Sequence, residues 1–136
     1  MRILWSFFLT SLAFSAHSFE LCKAEKGENY VMEQMAEVTA LDAKGQDKLK
    51  PMFVELQKAA KMTEEQLYNY SVDLLSRPEL SKLSAERMTH GLKLVTLLSS
   101  KDCDAFVDTR NKLAEVAKQE WDMTFKIIAA DIKRHQ

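Results

Sequence analysis

Three observations predict an all-α fold for this 136-residue chain: an up-down helical bundle of about five helices with a long C-terminal helix, tied by one disulfide. Apolar residues recur at helical spacing, and no stretch alternates with a period of two. Glycine and proline, the strongest punctuators of local structure, number only three and two. The chain has two cysteines, Cys22 and Cys103. In an up-down bundle, odd-numbered helices begin at the same end, so five helices bring these two together. Four would set them about 20–30 Å apart, beyond disulfide reach.

The N-terminus reads as an export signal. Arg2 precedes a mainly apolar run from Ile3 to Phe14, and Ala16-His17-Ser18 places small residues at −3 and −1 of a cleavage site. A membrane span needs about 20 apolar residues, more than this run offers. The organisation expected is a cleaved signal peptide at 1–18 and a single helical domain at 19–136, with no stable membrane insertion. The expected location is the periplasm, or outside the cell. Cleavage leaves 18 basic and 20 acidic side chains, a net charge of −2. Charges of both signs are interspersed, so no basic footprint for nucleic acid exists.

An oxidising compartment explains the cysteines best as a Cys22–Cys103 disulfide. A metal site needs three or four ligands, and the mature chain adds only His90 and His135, in no metal-binding spacing. Asp102 and Asp104 flank Cys103 and disfavour a reactive thiolate. A bridge closing so long a loop is worth up to roughly 4–5 kcal/mol by chain-entropy reasoning.

The first helix is expected over about 22–43, with Val31, Met35 and Val38 on one stripe. The segment AKGQD at 43–47 is expected to break it, and a second helix follows over about 48–61, with Pro51 in its first turn. Thr63-Glu64-Glu65-Gln66 is a capping box that opens a third helix, about 64–76. Pro78 stops that helix, because it disfavours helical geometry at Arg77. Ser84 is expected to cap the fourth, about 85–98, where Leu92, Leu94, Val95, Leu97 and Leu98 leave only a narrow polar stripe. A helix apolar over most of its circumference belongs in the middle of a bundle. The last helix, about 102–134, carries Phe106, Leu113, Ala117, Trp121, Phe125, Ile128 and Ile132 at helical steps. Part of its great length is expected to overhang, pack on the first helix or meet another chain.

Catalytic signatures are missing: there is no nucleophile elbow, P-loop, dinucleotide fingerprint, kinase set or EF-hand loop. His90 is set four residues from Glu86, and His135 four from Asp131, spacings that suit ordinary helical pairs. First-helix methionines (Met32, Met35) and Thr109-Arg110-Asn111 in a long last helix are similar to part of the periplasmic four-helix haem b cytochromes. That resemblance implies a haem-ligating His four residues after the Arg. Ala114 stands there, so the methionines read as core filler and no cofactor is expected.

Surplus apolar surface remains. Tyr68, Val72 and Leu75 form a second stripe on the third helix, and the far half of the last helix carries Trp121 and Phe125. These five are the candidate partner-binding residues. They point to an exported, non-enzymatic protein-binding module of the inhibitor, immunity or adaptor kind. A chaperone-like protein binding unfolded clients and a small apolar-ligand carrier are the alternatives. A homodimer through the C-terminal helix is compatible with each.

Overall fold

The computed structural model describes residues 30–98 and 102–136, and the described part is all-helical. It contains four helices: α1 (Tyr30–Ala59), α2 (Glu64–Leu75), α3 (Pro78–Leu98) and α4 (Cys103–His135). The expected five helices become four because the first two are one. Gly45 does not break α1; it makes room. A Cβ placed there would lie 2.3 Å from the Trp121 ring, so the glycine is the groove into which that indole packs. Pro51 also sits inside α1, on its exposed side.

Helix directions follow from side-chain pairs. Arg110 of α4 bonds Gln34 and Glu37, Trp121 bonds Asp42, and Phe125 underlies Lys48. Residue numbers climb together, so α1 and α4 are parallel. Numbers run oppositely between α3 and α4, with Arg87 on Glu120 and Leu80 clustered with Ile132. One return leg, the 21-residue α3, therefore joins two parallel helices, and α2 is a short cap. The starts of α1 and α4 share an end after all, through a topology other than the five-helix one.

The elements begin and end for local reasons. At the end of α1 the Met62 N–H donates to the Gln57 carbonyl (3.0 Å) and the Lys61 N–H to that of Lys58 (3.3 Å). This is a Schellman closure, with Lys61 at φ 52° in the left-handed position that glycine usually takes. The predicted capping box opens α2. The Gln66 N–H donates to Thr63 Oγ1 (3.2 Å), and the Thr63 N–H donates to Gln66 Oε1 (2.8 Å). Pro78 ends one helix and starts the next. As the first residue of α3 it needs no N–H partner, and Ser84, expected as a cap, falls inside that helix.

The core has two halves. At the end where α1 and α4 begin, Met35, Val38, Leu94, Cys103, Phe106 and Leu113 cluster. At the other end Leu49, Phe53 and Leu56 of α1 meet Leu67 and Leu74 of α2, Leu80 of α3, and Trp121, Ile128 and Ile132 of α4. Helix α2 thus covers only the second half. The central helix is α4, which packs on both α1 and α3; α3 lies outside, contrary to its apolar composition. Of the alternatives for its length, α4 takes the one of packing on the first helix, since α1 with 30 residues nearly matches its 33. Both run about 45–50 Å.

Candidate functional site

Two features stand apart from ordinary core: a set of buried charged clusters and a pair of exposed apolar stripes. The clusters come first. At the waist between the two core halves, Arg87 of α3 bonds Asp42 of α1 and Glu120 of α4 (2.9 Å to the latter). The Trp121 indole N–H donates to the other Asp42 oxygen at 3.0 Å. Burial disfavours the charged Arg87, but its two carboxylate partners outweigh this and raise its pKa. Three helices are thereby clamped by one guanidinium.

A second cluster closes the α2 end. The Tyr70 hydroxyl (2.8 Å), Arg77 (2.8 Å) and Arg134 (3.0 Å) all donate to Asp131. Burial works to raise the Asp131 pKa, yet the Tyr70 hydroxyl and the Arg77 guanidinium bonded to it bring it below the usual carboxylate value. Tyr70 moves the other way. Burial and its bond to the carboxylate raise its pKa well above that of a free phenol. In the third cluster, at the opposite end, the buried Arg110 donates to Gln34 through Nε (2.8 Å) and Nη2, and pairs with Glu37. The Thr-Arg-Asn stretch thus serves an interhelical clamp.

Among the described residues no buried side-chain polar atom lacks a partner. Groups so fully engaged with each other hold helices in register. No group of three or more His, Cys, Asp or Glu among the described residues is arranged to hold a metal ion. Asp131 does not pair with His135 as the spacing suggested, because Tyr70, Arg77 and Arg134 occupy it.

The five predicted partner-binding residues separate into two groups. Tyr68, Val72 and Leu75 are exposed at 50, 41 and 40% and form one stripe on α2. Trp121 is buried at 7% exposure, stacked on Phe125 at 5.7 Å between centroids. Phe125 is partly buried beneath the Lys48 ammonium, 4.2 Å from its ring centroid. These two are therefore core residues, because α1 runs parallel to α4 and covers its far half. Among the described residues, the exposed large apolar side chains belong to the other helices and none to α4.

The sequence reading missed a second stripe. Met88, Leu92 and Val95 of α3 are exposed at 67, 64 and 44%. Their spacing was visible, but their exposure was not, since α3 appeared apolar enough to be central. The charged clusters had a signal too. Asp131 stands between Ile128 and Ile132, and Arg110 between Val107 and Leu113, at positions where an apolar stripe should continue.

Among the described residues Cys103 is not a free thiol; it is buried in the first turn of α4. Its expected partner, Cys22, lies outside the described residues, as do the whole export signal and Met32's side-chain surroundings. No described helix is long and apolar enough to cross a membrane. Comparison with known proteins identifies no matching family, curated protein or solved structure.

Proposed function

We propose that this protein is an exported, non-enzymatic helical module that acts by binding another protein, in the manner of an inhibitor, immunity protein or adaptor. The observation that carries this reading is the Tyr68–Val72–Leu75 stripe, exposed on a helix whose other face is anchored by Leu67 and Leu74. Tyrosine on a rigid helix is a typical interface anchor, since it adds contact area at small entropic cost. The capping box at Thr63 and the Tyr70–Asp131–Arg77 cluster hold that helix in place.

Export and the Cys22–Cys103 bridge belong to the same proposal. Their support is the signal-like N-terminus, the parallel start of α1 and α4 at one end, and a Cys103 that is not a free thiol. Intact-mass measurement of the exported protein, with and without reduction before alkylation, tests both. A chain starting at Phe19 that takes up no alkylating agent until reduced is expected; alkylation without reduction would remove the bridge.

The binding reading is tested by native capture with the tagged protein from the exporting cell. One partner at stoichiometric yield, lost with Tyr68→Ala and kept with the exposed-face control Lys50→Ala, is the expected result. Many weakly held clients would replace it with the chaperone reading, and a retained small molecule with the carrier reading.

A further inference from the structure

We propose that the outer face of α3 is a self-association seam, through which two copies of this chain pair antiparallel. This does not rest on the α2 stripe: either surface can fail without the other. Ala85, Met88, Leu92 and Val95 follow one another at steps of three, four and three, the heptad pattern of a two-helix seam. The three large ones are exposed at 44–67%. A monomeric helix face does not need that order.

Three properties of the face favour a second copy as its occupant. First, it is uncharged. Every charged residue of α3 (Glu79, Lys82, Glu86, Arg87, Lys93) lies off the seam, so two copies would meet without opposing like charges. Second, its polar side chains are already satisfied. The Thr89 and Thr96 hydroxyls that flank the seam donate to carbonyls of their own helix, Ala85 (3.0 Å) and Leu92 (3.2 Å). Covering them therefore strands no donor. Third, the residue sizes are self-complementary. With a two-fold axis midway between Met88 and Leu92, each Met88 meets the other copy's Leu92. Each Ala85 then meets the other copy's Val95. Small meets medium and large meets large in all four layers.

Gly91 supplies an independent argument. A glycine inside a helix costs about 1 kcal/mol relative to alanine. Gly45 has a reason within the chain, the Trp121 ring; at Gly91 a Cβ would meet nothing within 4 Å. Internal packing does not require it; at the edge of the seam, beside Met88 and Val95, it leaves room for a second helix to approach.

Four layers span only about 15 Å of helix. The interface is small beside the roughly 800 Å² per partner of a standard stable complex, so dissociation is expected on the order of 10–100 µM. The test is sedimentation velocity on the exported, naturally processed protein across that range. A monomer–dimer equilibrium is expected. Met88→Glu and Leu92→Lys, each alone, should weaken it at least tenfold, with the helical circular dichroism unchanged because both sites are exposed. Combined in one chain, they should restore association, since the antiparallel register sets each new carboxylate against the other copy's new ammonium. A protein monomeric throughout, a dimer indifferent to Met88→Glu, or a double variant no better than the singles would each overturn the proposal.

Discussion

Helices α3 and α4 make an instructive pair. Composition alone places α3, with its run of leucine and valine, at the centre of the bundle. The structure puts α4, with its many charges, there instead. α4 is central because its inward charged and polar residues have partners: Arg110 with Gln34 and Glu37, Glu120 with Arg87, and Asp131 with Tyr70 and Arg77. α3 is peripheral although Met88, Leu92 and Val95 then face water. Mean hydropathy measures what a helix would gain by burial; position also depends on which neighbours complement it.

That contrast can be broken most severely at its central helix. Trp121→Ala should cost about 3–5 kcal/mol in urea unfolding, through lost packing and the orphaned Asp42 oxygen. Leu92→Ala on α3 should change the monomer by less than about 0.5 kcal/mol, although leucine is the larger loss on a hydropathy scale. Gly45→Ala sharpens the point. It should cost about 1–3 kcal/mol in the natural chain by overpacking, and much less in the Trp121→Ala background where the ring is gone.

Next in size is the cluster at Asp131. Tyr70→Phe should cost about 1.5–3 kcal/mol at neutral pH, the usual worth of a hydrogen bond to a charged group. The pH dependence has a definite sign. Asp131 has a lowered pKa in the fold, so its contribution is present above the ordinary carboxylate value near 4. It is lost as pH falls through the lower folded value. Tyr70 has a raised pKa, so its contribution is complete below about 10 and lost as pH rises beyond that towards the folded value. Thermal unfolding against pH should show both limbs, with Tyr70→Phe shallower on each. An unchanged alkaline limb would remove Tyr70 from this role.

Smaller effects belong to the helix ends. Thr63→Ala removes the hydroxyl that accepts from the Gln66 N–H, leaving the bond from the residue 63 N–H to the Gln66 side chain, and should cost about 1 kcal/mol. Lys61→Gly should instead stabilise the protein, by about 0.5–1 kcal/mol, because glycine takes the left-handed position at the end of α1 without the strain lysine bears. Both are readable from shifts in the urea midpoint.

Much of the secondary structure was legible in the sequence. The capping box fixed the start of α2, and periodicity placed Met35, Val38, Phe106, Leu113, Ile128 and Ile132 in the core. The α2 stripe of the candidate site was legible too, because a short amphipathic helix can bury only one face. The other half of that site was not. Trp121 and Phe125 are apolar enough to serve as core or as anchors, and sequence cannot distinguish a covered face from a bare one.

The chain by itself determined what is local: the all-helical class, the capped start of α2, the role of Pro78 as a boundary and the absence of any catalytic signature. Tertiary structure alone decided that Gly45 continues a helix, because its reason is a tryptophan 76 positions away. It also decided that charged α4 is central and apolar α3 is not. Caps and turns are short-range bonds between neighbours in sequence. The fit of a ring into a glycine groove, and the pairing of an arginine with carboxylates on two other helices, exist only once distant segments meet.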